Sequence, residues 1–257
     1  MMRILVSCLV LLSSACVTSG HIGPQGFSHD KLGYQLAYAE PQQKLFINKS
    51  WKLEADHKGQ PRSFDTHHVQ SKSSSGHEEK LYVKSTDLVF KHRETNGVIS
   101  VQSSPLPETM AERKLPIIAK DYVERLSSQY FTFVGNGVDR AVIGKNYVTT
   151  ITATRSGTIG SAETYEVVAD LANADQLKLN PDHRLMRFKL LLVRPRTADA
   201  WKHDRILPGK KTQREDELTV KETYPAIIVL TYAMDHAYYD EYLRDFETLI
   251  SRFKLRG

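Results

Sequence analysis

The chain has 257 residues, 40% hydrophobic and 25% charged, with a formal net charge of +5 and a mean hydropathy of −0.40. Such a composition excludes wholesale disorder, a collagen-like repeat and a polytopic membrane protein. Two cysteines are present, Cys8 and Cys16, so the chain beyond Cys16 holds neither a disulfide scaffold nor a thiolate zinc site.

Both cysteines belong to the N-terminus. Met1-Met2-Arg3 is a short basic start, and the apolar run Ile4 to Leu12 follows it. Nine residues rise only about 14 Å as a helix, against about 30 Å of bilayer core, so the run reads as a signal-peptide core. Leu12-Ser13-Ser14-Ala15-Cys16 then resembles the bacterial lipoprotein lipobox, in which cleavage precedes an acylated cysteine. Ser13 stands where that motif usually has Leu, with Leu12 one place further back. The resemblance implies a leader over residues 1–15 and lipidation at Cys16. Ordinary cleavage after Ala15, leaving a free terminal thiol, and an uncleaved anchor are the alternatives. Several acyl chains hold a protein on a membrane where one does not. Val17 occupies the place where the enterobacterial inner-membrane retention signal has Asp. The expected location is therefore the bacterial envelope, on the outer membrane facing the periplasm.

Losing Arg3 with the leader takes the net charge from +5 to +4, a mixed and solvated surface. Small basic clusters occur at Lys210-Lys211 and at Arg252, Lys254 and Arg256, without an interleaved aromatic nucleic-acid module. Nucleic acid is not an expected partner. An envelope protein or a cell-wall polymer is, besides the membrane itself.

Residues 16–25 read as a tether and residues 26–257 as one domain. Tyr34 to Tyr38 alternates as a strand, and Trp51-Lys52-Leu53 repeats the pattern. Residues 56–80 are polar and read as a long exposed loop. Leu81 to Phe90 and Val98 to Ser103 flank Asn96-Gly97, a hairpin signal. Thr109 to Glu112 has the spacing of a capping box, and Leu115, Ile118, Ala119, Tyr122, Val123 and Leu126 recur at helical spacing. Pro116 fits the first turn of a late-starting helix and breaks an early-starting one.

From Tyr130 the period changes to two: Phe131 and Phe133, then Tyr147 to Ala153, Tyr165 to Leu171, and Met186 to Leu192. Trp201 to Glu222 is a charged excursion around Pro208-Gly209. Ala226 to Tyr232 is apolar without alternation, as in a strand covered on both faces. A final helix follows, with Asp235 expected as its N-cap and Arg252 and Lys254 in its last turns. Tyr239, Tyr242, Leu243, Phe246, Leu249, Ile250 and Phe253 form its apolar stripe. The fold class expected is α+β, a largely antiparallel sheet packed with a middle helix and a C-terminal amphipathic helix.

Phe27-Ser28-His29-Asp30-Lys31-Leu32-Gly33-Tyr34-Gln35-Leu36-Ala37-Tyr38 and the tail from Tyr224 to Phe253 give this order a likeness. It resembles the PsbP-like family, exported accessory proteins related to the photosystem II extrinsic subunit. The family's Trp follows the first strand closely, whereas Trp51 here comes well after Tyr38. What the resemblance implies is an α-β-α sandwich that binds other proteins and performs no chemistry.

No phosphate-binding Gly loop, GxSxG elbow, HExxH or CxxC is present. Asp65, His67, His68, His77 and Glu78 offer nitrogen and oxygen ligands within a short stretch, with His67, His68 and His77 the candidate metal ligands. A hydrophilic loop that happens to carry histidine is the favoured reading, since a folded metal site needs its ligands held in place by further hydrogen bonds. His236 and Asp240 stand four apart and could meet on one helix face. No catalytic residue and no cofactor is expected. The expected function is a membrane-anchored envelope lipoprotein acting as a non-enzymatic binding or accessory module. The other class is a metal-binding or hydrolytic envelope enzyme whose site the sequence does not display.

Overall fold

The apolar periods of the sequence resolve into one large sheet covered on both faces. The computed structural model describes residues 20–29, 32–61, 64–66, 69–72, 78–81, 84–106, 112–134, 147–195, 201–206, 219–224 and 226–255. A four-stranded antiparallel sheet has the order β1-β2-β3-β16, built from β1 (Gly20–Gly23), β2 (Gly26–His29), β3 (Tyr34–Ala37) and β16 (Phe253–Leu255). The eight-stranded sheet contains β4 (Trp51–Leu53), β5 (Phe64–Thr66), β8 (Lys84–His92), β9 (Val98–Pro105), β10 (Tyr147–Ile159), β11 (Ala162–Asn173), β12 (Met186–Arg194) and β15 (Ala226–Asp235). Its order is β10-β11-β12-β15-β9-β8-β4, with β5 also paired to β8. Two further hairpins are β6 (Val69–Lys72) with β7 (Glu78–Leu81), and β13 (Trp201–Ile206) with β14 (Thr219–Tyr224). The helices are α1 (Leu115–Val134), α2 (Ala174–Leu179) and α3 (Tyr239–Ser251).

Side-chain alternation along the central strands builds two cores. On β15, Ile228, Leu230, Tyr232 and Met234 face the small sheet and α3, together with Phe27, Tyr34, Leu36, Phe246 and Leu249. Ile227, Val229 and Ala233 face the other way, onto Leu115, Ile118, Ala119 and Val123 of α1. Fully burying one such aliphatic or aromatic side chain contributes about 1.5–3 kcal/mol, so β15 is tied down from both sides. This matches the unbroken apolar run of its sequence. The α+β class is as expected, and so are the Trp51 strand, the β8–β9 hairpin and the α3 stripe from Tyr239 to Ile250, whereas Phe253 lies in β16.

Several expectations are corrected. Residues 20–23 lie in the span expected to be a tether, yet they form β1, because Gly20 to Gly23 pair with His29 to Gly26. The stretch 56–80, expected as a loop, contains β5, β6 and β7. Phe131 and Phe133 lie in α1 rather than a strand. Val123, Leu126, Tyr130 and Phe133 continue a helical period that a two-residue alternation mimics over so short a window. The helix begins at Leu115, with Pro116 in its first turn, so Glu112 lies before it, and Thr109 lies outside the described residues. Trp201 to Glu222 holds the hairpin β13–β14.

At the C-terminus Asp235 makes no side-chain cap. A 3₁₀ turn over His236–Tyr238 intervenes, and α3 starts at Tyr239. Arg252 is the C-cap, and Lys254 lies in β16, paired with Gln35. The short α2 was not foreseen; Asn173 Oδ1 caps it by accepting from the amides of Asp175 and Gln176 at 2.9 and 3.1 Å.

Candidate functional site

Cys16 and the metal candidates His67, His68 and His77 lie outside the described residues. Of their neighbours, Asp65 in β5 is paired with Ser85, and Glu78 in β7 is paired with Lys72. Among the described residues no group of three or more His, Cys, Asp or Glu side chains could hold a metal ion. His236 and Asp240 are not joined by a hydrogen bond or ion pair among the described residues. His236 donates its backbone amide to the Leu185 carbonyl, and Asp240 is exposed.

A buried polar cluster that sequence reasoning missed lies between the two sheets. β2 ends on His29, and the chain turns through Gly33, whose φ of 62° is a left-handed conformation suited to glycine. The turn brings the Leu32 amide to His29 Nδ1 at 3.1 Å, so Nδ1 accepts and the neutral ring carries its proton on Nε2. Nε2 faces Ser103 Oγ at 3.4 Å and Asp87 Oδ1 at 3.7 Å. The Tyr34 hydroxyl donates to Asp87 Oδ2 at 2.7 Å, and its ring stacks on His29. Burial first, and then the charge and hydrogen bond of Asp87, push the Tyr34 pKa well up, which keeps the phenol a donor. Asp87 reaches this place because the β8–β9 register shifts between Thr86 and Leu88, leaving Asp87 as the extra residue of a bulge.

Ser, His and Asp together invite a comparison with a nucleophilic triad. A triad needs the hydroxyl on one ring nitrogen and the carboxylate on the other. Here both lie on Nε2, and the backbone occupies Nδ1. His29 is 1% exposed and Ser103 0%, so neither is presented to a substrate. The cluster pins β2 and β3 to β8 and β9.

A second polar junction holds α3. Asp245 accepts from Asn48 Nδ2 and Trp51 Nε1, each at 2.8 Å. Next to it the His92 ring lies between Trp51, at 5.0 Å, and Tyr242, at 4.3 Å. His92 Nδ1 meets Thr95 Oγ1 at 3.0 Å, while Nε2 is buried without a hydrogen-bond partner. Burial lowers the His92 pKa, and the charges of Glu94, Asp245 and Glu241 oppose that shift. On the α3 side of β11 and β12, Arg187 grips Asp170 through two bonds of 2.7 and 3.1 Å. Lys189 lies 3.4 Å from both Glu166 and Glu247. These charged groups are matched with one another.

The sheet edges differ sharply. β1 is closed by the Gln60 side-chain amide, which accepts from Ile22 N at 2.9 Å and donates to Ile22 O at 3.3 Å. β4, β5 and β16 have three residues each. β10 has thirteen, pairs only with β11 among the described residues, and is exposed along most of its length. Val148 and Ile151 on it are 43% and 41% exposed. A register shift between Ile151 and Ala153 is its one irregularity. Backbone donors and acceptors on such an edge are a template for another extended strand.

No family model matches the chain, and no curated protein matches it. The chain is similar to the solution structure of cyanobacterial PsbP (CyanoP) from Synechocystis sp. PCC 6803, at 13% identity and a TM-score of 0.44, over 89% of this chain and 90% of that one.

Proposed function

We propose that the protein is a lipid-anchored accessory module of the bacterial envelope, held through an acylated Cys16, that binds another envelope protein and performs no chemistry. One observation carries the binding mode: β10 is a thirteen-residue edge, paired on one side only among the described residues. An open edge recognises peptide backbone by strand addition, which favours a protein partner over a cell-wall polymer. The buried Ser103, His29 and Asp87 are consistent with the absence of hydrolysis, since their hydrogen bonds serve the junction between sheets.

Crosslinking in intact cells tests this reading. Val148→Lys with Ile151→Lys places two charges on the edge at exposed positions, where stability changes by only about 0.5 kcal/mol or less. The expected result is a defined protein adduct with the wild type that disappears in the double variant at unchanged melting temperature. An adduct that persists, or one made of cell-wall polymer, overturns it. Cys16→Ala tests the anchor separately: the variant is expected in the soluble fraction, and its retention on membranes defeats the acylation reading.

A further inference from the structure

The turn between β8 and β9 carries Asn96-Gly97, the one place among the described residues where an asparagine precedes a glycine. Asparagine is a thermolabile side chain. In such a pair the backbone nitrogen of the glycine attacks Cγ of the carboxamide, because no Cβ on the glycine screens it. The new C–N bond closes a succinimide, the Cγ–Nδ2 bond breaks, and ammonia leaves. Water then opens the ring at either carbonyl and gives aspartate or isoaspartate. The reaction needs no oxidant or reductant, and water is the only other reactant.

Packing explains why the labile pair stands here. A Cβ at position 97 would collide with Cε and Sδ of Met234, which is fully buried. Any residue but glycine would therefore displace a core side chain. Asn96 is exposed, so water reaches it, and its Nδ2 donates to Asp235 Oδ2 at 3.4 Å. That bond ties the turn to the last residue of β15.

The attacking nitrogen, by contrast, is held. Gly97 N–H donates to Thr95 Oγ1 at 3.1 Å. The Thr95 hydroxyl is itself placed by His92 Nδ1 at 3.0 Å and Met234 Sδ at 3.3 Å. The Gly97 carbonyl accepts from the His92 amide at 2.9 Å and closes the hairpin. Attack requires the nitrogen to leave Thr95, give up its proton and swing towards Cγ. One net hydrogen bond shifts such a local opening by about twofold to tenfold.

We propose that Asn96 is a site of spontaneous deamidation, and that the Thr95 hydroxyl holds its rate down in the folded protein. Modification replaces a donor by a carboxylate facing Asp235, so the tie to β15 is lost with it.

The experiment incubates the purified protein in mildly alkaline buffer, folded or in urea, and reads deamidation by mass spectrometry of tryptic peptides. Cleavage after Arg93 and Arg113 puts Asn96 on its own peptide, apart from Asn136-Gly137, the other such pair in the sequence. Folded wild type is expected to react at Asn96 about tenfold or more slowly than the chain in urea. Thr95→Val keeps the branched shape and removes the acceptor, and is expected to react about twofold to tenfold faster than folded wild type. Thr95→Ser retains the hydroxyl and is expected to match wild type. So is Tyr34→Phe, which weakens the fold at its bond to Asp87 and leaves the turn alone, so that acceleration by global unfolding is read separately. In urea, conversion of Asn136 without conversion of Asn96 overturns the site. Folded wild type as fast as the chain in urea, Thr95→Val no faster than wild type, or Thr95→Ser and Tyr34→Phe as fast as Thr95→Val, overturns the role of Thr95. The comparison of folded with unfolded wild type needs no variant, so it decides even where Thr95→Val does not fold.

Discussion

The phenol of Tyr34 donates a 2.7 Å hydrogen bond to Asp87 Oδ2 and so joins the small sheet to the large one across 53 positions of sequence. Both groups are buried, and the acceptor is a carboxylate whose other oxygen faces His29. A hydrogen bond to a charged group contributes about 1.5–3 kcal/mol, and its loss leaves a buried carboxylate short of a donor. Tyr34→Phe keeps the ring stack on His29 and removes only the donor. Urea unfolding is expected to show a loss of about 1.5–3 kcal/mol. Ser103→Ala, which removes a longer 3.4 Å contact, is expected to cost about 1 kcal/mol or less. Equal costs for the two variants would show that Asp87 is not the centre of the pin.

His92 sets a pH dependence with a definite sign. Burial lowers its pKa from the ordinary 6.5, against the opposing charges of Glu94, Asp245 and Glu241. The unfolded chain therefore takes up the proton before the folded one. Stability is full above 6.5, falls as pH drops below it, and levels off beneath the lowered folded value. His92→Phe retains an aromatic ring between Trp51 and Tyr242 and removes the titration. Thermal melts of the two proteins from about pH 8 to about pH 5 are expected to diverge, the wild type losing more. Parallel profiles would assign the acid sensitivity to other groups.

Much of the fold was legible because burial writes a period into the sequence. Met186, Phe188, Leu190 and Leu192 alternate with Arg187 and Lys189, and the structure puts the first set on α1 and pairs the second with Asp170, Glu166 and Glu247. Ala226 to Tyr232 lacks alternation because both of its faces are covered. The failures have physical reasons too. Phe131 and Phe133 satisfy a strand and a helix template over three residues, and only the continuation from Val123 separates the two. β16 has three residues directly behind a helix, too few for any periodic signal. The His29 cluster was hidden by the bulge, since Asp87 falls out of the alternation that assigns a face. A lone acid directly before the apolar run Leu88-Val89-Phe90 was the available signal. Asp245 likewise counted as a polar position on α3, while its partners Asn48 and Trp51 lie nearly two hundred positions away.

The Trp51–Asp245 bond is expected to couple α3 to β4 energetically. Trp51→Phe removes the indole donor and leaves the aromatic contact with His92, while Asp245→Asn keeps the size and removes the charge. Each single variant is expected to cost about 1–3 kcal/mol, and the double-mutant cycle to return a coupling of about 1 kcal/mol or more. Additive costs would mean that Asn48 alone holds the carboxylate.

Metal content decides between the binding-module reading and an envelope enzyme. A folded metal site needs ligands held by further hydrogen bonds, and a structural zinc is built into the folding free energy. Asp65 and Glu78, the carboxylates beside the histidine-rich stretch, lie in separate strands whose partners are Ser85 and Lys72. Their strands belong to two different sheets. Elemental analysis of the purified protein after dialysis is expected to find zinc and copper well below one equivalent. The His67→Ala, His68→Ala, His77→Ala triple variant is expected to match it in metal content and in melting temperature. Stoichiometric metal in the wild type that is lost in the triple variant, with a lowered melting temperature, would replace the binding module by a metal-dependent site.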